Sequence, residues 1–166
     1  MTEIYPAFSI SPVPQPTSDT AAPELFHGIY GMPAFVTVPT ADLEASTQFW
    51  TEGLGFFDFF SAEGQFVHLR RWAFQDVLLV PGQPRAQAST AVVSFACVEK
   101  QLVEIAASCQ RLLPESASEP SVKPWNSAEV DVVTPENLRV TMTAARPFDP
   151  ESQEAQNLKE IGIEKN

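Results

Sequence analysis

The sequence predicts an α+β fold of two βαβββ modules that form a curved mixed β-sheet cup with flanking helices. Three observations point to it. Between Pro33 and Gly82 an apolar strand, an amphipathic helix and three strand-like runs follow one another. Residues 88–146 repeat that order with a weaker pattern. A unit this small cannot bury its own apolar face, so the two must pair, within one chain or between two. At 166 residues, 44% of them hydrophobic, the chain suits one such domain and buries roughly two thirds of its unfolded surface.

The elements follow in order. Strand 34–38, Ala-Phe-Val-Thr-Val, is bounded by Pro33 and Pro39. Asp42 suits the N-cap of a helix over 42–52, because its short acceptor satisfies free N–H groups. Leu43, Trp50 and Leu54 share one stripe of that helix, with Phe49 beside it. Gly53 and Gly55 fit a left-handed helix ending. Strands are expected at 56–61, 65–72 and 76–80, with turns at Glu63-Gly64 and Phe74-Gln75 and a linker at Pro81-Gly82-Gln83-Pro84. In the second unit a strand at 90–97 precedes a helix at 99–113. Leu102, Ile105, Ala106, Cys109, Leu112 and Leu113 fall at helical spacing there, and Pro114 stops it. Residues 115–124, rich in Ser and Pro, read as a loop. Strands 128–133 and 137–145 flank the turn Thr134-Pro135-Glu136-Asn137.

The flanks differ in character. Residues 1–32 hold five prolines and no Lys or Arg, which predicts an extended arm. Its apolar residues Ile4, Tyr5, Phe8, Ile10, Leu25, Phe26, Ile29 and Tyr30 either lie along the domain or reach a partner subunit. Residues 147–166 form an acidic tail or short helix, with Leu158 and Ile161 as its anchors. Of the net charge of −11, −3 lies in residues 1–32 and −3 in residues 147–166, leaving −5 on the folded part. That balance disfavours nucleic acid and anionic membranes, which reward basic patches. No apolar run approaches the ~20 residues of a membrane span. The N-terminus lacks the basic region and apolar core of a signal peptide, so a cytoplasmic location is expected. Two cysteines, Cys97 and Cys109, make no disulfide framework.

The stretch from Val38 to Phe56, with Asp42, the pair Phe49-Trp50, and Leu54-Gly55-Phe56, resembles the opening unit of the vicinal oxygen chelate superfamily. That superfamily includes glyoxalase I, extradiol dioxygenases, fosfomycin resistance enzymes and bleomycin resistance proteins. Phe49-Trp50-Thr51 before the Leu-Gly-Phe element looks most like the bleomycin resistance branch. Lys123-Pro124-Trp125-Asn126-Ser127-Ala128-Glu129 resembles that branch's Pro-Trp-Gly-Arg-Glu element, and Thr134-Pro135-Glu136-Asn137-Leu138 stands where the family writes Asp-Pro-x-Gly-Asn. The resemblance covers about residues 33–146. The family's enzymes hold a divalent metal from four strands; here the matching positions fall on Phe35, about Leu79, about Ala91 and Glu129. One carboxylate does not hold a catalytic metal, since such sites need His and carboxylates together. The expectation is therefore no metal and no cofactor. The resemblance implies a homodimer that sequesters a drug in grooves at its interface.

The candidate site residues follow from strand parity. Phe66, His68, Arg70 and Trp72 share one face of strand 65–72, opposite Val67 and Leu69. That face either lines the cup or is a half-exposed sheet surface. His68 is a candidate general base, although a lone histidine is more often structural. Glu129 and Asp131, two apart on a strand, point the same way. They bind a cationic ligand, move a proton, or simply face solvent. Phe35, Phe60, Phe95 and Trp125 complete the candidate lining, since flat ligands stack on such rings. No nucleophile motif, phosphate-binding loop or dinucleotide fingerprint is present. The expected function is metal-independent binding of a planar or amphipathic small molecule, such as an antibiotic or natural product, with resistance by sequestration. The alternative is a cofactor-free isomerase or cyclase using Glu129, Asp131 or His68.

Overall fold

The computed structural model describes residues 16–17, 19–31 and 33–163. The first module comprises β1 (Val36–Thr40), α1 (Leu43–Gln48), β2 (Phe57–Ala62), β3 (Phe66–Arg70) and β4 (Asp76–Pro81). The second comprises β5 (Val92–Cys97), α2 (Leu102–Leu112), β6 (Ser121–Lys123), β7 (Ser127–Val133) and β8 (Arg139–Ala145). A short α3 (Gln153–Glu160) follows. Each module makes one four-stranded mixed sheet, ordered β1-β4-β3-β2 and β5-β8-β7-β6. In both, the first strand runs parallel to the last and all other pairs are antiparallel.

The Asp42 carboxylate caps α1 by accepting from the backbone N–H groups of Glu44 and Ala45 at 3.1 and 3.0 Å. The expected helix 42–52 is not uniform. It is α-helical to Gln48 and then widens into a π-turn at Phe49–Gly53. Gly55 takes the left-handed conformation, with φ +77°, but Gly53 does not. Gly53 serves packing instead: a Cβ there would stand 3.1 Å from the Cys109 sulfur on α2. The segment 115–124 is also more ordered than a loop. Ala117 bridges Val132, and β6 pairs with the start of β7, so the segment edges the second sheet. α3 is seated by buried Ala155; Leu158 is half-buried and Ile161 is exposed.

One core joins the modules. Inner-face residues of the first sheet (Val38, Leu69, Val77, Leu79) and of the second (Phe95, Val130, Val132, Met142) pack with Trp50 and Leu54 and with Leu102, Ile105 and Cys109 of α2 in one cluster. The two modules thus pair within the chain, helices against helices, and the sheets enclose the helices between them. Trp50 donates across the junction to the Glu136 carboxylate at 3.3 Å. Among the described residues the two sheets share no strand pairing, and each carries its own outward face. No described helix is long and apolar enough to cross a membrane.

The arm docks on the first sheet. Phe26 donates its N–H to the Arg71 carbonyl at 3.0 Å, and its ring stacks on Tyr30 with centroids 5.3 Å apart. Ile29 points to solvent, and Leu25 is only partly covered. Ile4, Tyr5, Phe8 and Ile10 lie outside the described residues.

Candidate functional site

The outward face of the first sheet carries Phe66, His68 and Arg70 from β3, with Asp76 paired opposite Arg70 and Leu78 opposite His68 on β4. Asp76 is the centre of a polar knot. Its Oδ1 accepts from Arg70 Nε at 2.7 Å and lies 2.7 Å from His68 Nε2. Its Oδ2 accepts from the Tyr30 hydroxyl. That hydroxyl accepts in turn from the Phe74 N–H at 2.8 Å, and Phe74 takes φ +63° to deliver it. Burial, and then the hydrogen bond to Asp76, push the Tyr30 hydroxyl above its usual pKa. The guanidinium of Arg70 donates to the Gly28 carbonyl and sits 3.9 Å from the Phe59 ring centre and 4.4 Å from that of Tyr30. The arm therefore covers the Arg70 end of this face. The other end stays open. Phe35, half exposed, lies 6.2 Å from the His68 ring, and exposed Phe60 lies 5.8 Å from Phe66.

The outward face of the second sheet is built around Glu129. The β6–β7 hairpin turns at Asn126, with φ +62°, and this holds Trp125 at the tip. Three donors converge on Glu129 Oε1: the Trp125 indole at 2.9 Å, the Ser127 hydroxyl at 2.7 Å and the Thr143 hydroxyl at 3.2 Å. Oε2 has no donor among the described residues. The Trp125 side of this arrangement is open, with 55% of the residue exposed. Asp131 lies two residues along the strand. It accepts from the Thr141 hydroxyl at 2.7 Å and has Lys123 Nζ at 3.9 Å.

Two residues expected on these faces lie elsewhere. β3 ends at Arg70, so the alternation stops before Trp72. Trp72 is buried beside α2, its ring under the Arg71 guanidinium at 4.4 Å. Phe95 has inward parity on β5 and packs edge-on against Phe56 and Trp50 in the core. The positions matched to metal ligands also divide. Leu79 is in the core, and Ala91 precedes β5, whereas Phe35 and Glu129 belong to outward faces. Asp76 and Tyr30, central to the first face, are absent from the sequence-based candidates. Asp76 had a readable signal: six residues beyond Arg70 across a tight turn, it falls opposite Arg70 in an antiparallel pair. Tyr30 had none, because docking of an arm leaves no periodicity.

No family model matches the chain, and no curated protein matches it. Solved structures do. A fosfomycin resistance protein, FosX, from Listeria monocytogenes, complexed with Mn(II) and 1S,2S-dihydroxypropylphosphonic acid, superposes with a TM-score of 0.60 at 13% identity, over 80% of this chain and 98% of that one. A glyoxalase/bleomycin resistance protein/dioxygenase from Nocardioides gives 0.54 at 16%, over 75% and 90%. A glyoxalase-related enzyme from Clostridium phytofermentans gives 0.53 at 16%, over 71% and 98%. The chain has the vicinal oxygen chelate fold. The Listeria protein is complexed with Mn(II), and the donors of this chain do not fit such an ion. Among the described residues no three His, Cys, Asp or Glu side chains gather. His68 is committed to Asp76, and Glu129 Oε1 is occupied by three protein donors.

Proposed function

We propose that this protein binds a planar or amphipathic small molecule without a metal, and that the Trp125–Glu129 pair is its anchor. The supporting observation is the three-donor clamp on one oxygen of Glu129. The clamp fixes the carboxylate, leaves Oε2 as a directed acceptor, and holds an exposed indole beside it. An aromatic plate next to an oriented acceptor suits a flat ligand that carries an N–H or cationic donor, because stacking and a charge-assisted bond then act together. Phe35, Phe60, Phe66 and His68 offer a second aromatic patch on the other sheet. Two outward faces on one chain suit a homodimer in which each face meets its counterpart from a second copy. Affinity alone would then give resistance by sequestration, in the cytoplasm, where two free thiols are at home.

A second reading has its own observation. His68 lies 2.7 Å from Asp76, the geometry of a histidine oriented as a general base. Such a base would serve a cofactor-free isomerase or cyclase. Arg70 draws on the same carboxylate oxygen, so Asp76 does not orient His68 alone.

Tryptophan fluorescence separates the two. Titration with proflavine, a flat cation with amino donors, should quench saturably, with the dye recovered unchanged. Glu129→Gln should weaken it by roughly tenfold, the worth of one charge-assisted bond. The anionic dye 8-anilinonaphthalene-1-sulfonate should bind more weakly. Equal binding of both dyes, or no effect of the substitution, contradicts the anchor. Turnover of a natural-product substrate that is lost in His68→Ala with affinity kept would favour the second reading.

A further inference from the structure

Arg71 is 2% exposed, and no carboxylate lies within ion-pair reach of it among the described residues. Its Nη1 donates to the Gln75 side chain at 3.3 Å and to the Ala96 carbonyl, and its Nη2 to the Gln101 side chain at 2.9 Å. All three acceptors are neutral. Buried charges are ordinarily paired, because desolvation is uncompensated otherwise. Burial indeed holds the Arg71 pKa below the usual value.

Two of its five donors, Nε–H and the second Nη2–H, have no acceptor among the described residues. Nε lies at Gly55, where a Cβ would stand 3.6 Å away, and Gly55 and Arg71 both line a cleft of about 240 Å³ between the π-turn and α2. Apolar walls come from Leu25, Leu54, Trp72 and Ile105, and the cleft is also lined by two exposed carboxylates, Glu52 and Glu104. The volume is below that of drug-sized sites. A simple anion would satisfy Arg71 but be repelled by the acids, and a simple cation would meet the reverse. A molecule carrying both charges satisfies all three groups.

We propose that this cleft binds a small zwitterion of the amino-acid class. Its carboxylate accepts from Arg71 Nε–H, its ammonium group faces Glu52 and Glu104, and its side chain lies on the apolar walls. The site is separate from the sheet faces and stands or falls independently of the Trp125–Glu129 reading.

Thermal unfolding of the full chain tests it with glycine, L-leucine and L-phenylalanine, and with 4-methylpentanoate and isoamylamine as leucine lacking the amine or the carboxylate. A saturable rise in Tm is expected for at least one amino acid, since a ligand that binds only the folded state stabilises it. 4-Methylpentanoate and isoamylamine should give no saturable rise at the same ionic strength. Glu104→Gln, a change at an exposed residue with no hydrogen-bond partner, should leave the unliganded Tm near wild type and weaken amino-acid binding by about tenfold. Arg71→Lys should abolish it. If Arg71→Lys fails to fold, the Glu52→Gln/Glu104→Gln double variant carries the test. No response to any of the three amino acids overturns the proposal. So does an equal response to 4-methylpentanoate, or binding that survives in the double variant.

Discussion

Single side chains decide where this fold is rigid. Arg70 and Asp76 are both almost fully buried, and each compensates the other's charge. Asp76→Ala leaves Arg70 without its counter-charge and frees Tyr30, so a loss of about 3–5 kcal/mol is expected. Urea unfolding checks it; a loss under about 1 kcal/mol would mean that the knot is a surface pair. The two thiols behave differently. Burial pushes both Cys97 and Cys109 from 9.0 up to about 12. Their folded pKa values are raised, so the contribution to stability is complete below pH 9 and is lost as pH rises toward about 12. The urea midpoint should fall across that window, and a thiol reagent at pH 8 should label neither cysteine until the chain unfolds. Fast labelling of the native protein would contradict the burial. At this scale the sequence was legible where periodicity rules. Parity put His68, Arg70, Glu129 and Asp131 on outward faces, as the strands place them. It failed for Trp72, two residues past the strand's end; Phe95, chosen as an aromatic and not by parity, faces inward on β5 and packs in the core.

Elements show why boundaries were harder to read than order. Both modules appear in the expected sequence of strand, helix and three strands, because apolar spacing and Pro or Gly stops mark them. The π-turn at Phe49–Gly53 carries no composition signal, since it exists to let Phe49, Trp50 and Leu54 all reach the core. The short β6 hides in Ser and Pro because its hydrogen bonds, not its side chains, tie it to β7. The helix junction gives a direct test. Gly53→Ala sets a methyl 3.1 Å from Cys109 Sγ, so that sulfur must give way by a few tenths of an ångström in a packed junction. A destabilisation of about 1–3 kcal/mol is expected, and it should shrink in the Gly53→Ala/Cys109→Ala double variant, which removes the clash. Additive losses in that cycle would show that the glycine serves some other purpose.

For the whole molecule, the two sheets turn their apolar faces to one shared core and their polar and aromatic faces outward. The superposed structures establish the fold; the chemistry rests on this chain's own side chains. The arm occupies one end of the first face with its own Phe26, Gly28 and Tyr30; what stays open is Phe35, Phe60 and Phe66 on one sheet and Trp125 on the other. The most direct measurement is native mass spectrometry of protein purified without chelators from its own host. The expected result is a dimer free of stoichiometric divalent metal that carries a small organic molecule, and loss of that molecule in Glu129→Gln. A tightly held Mn, Zn or Fe ion at one per chain would contradict it.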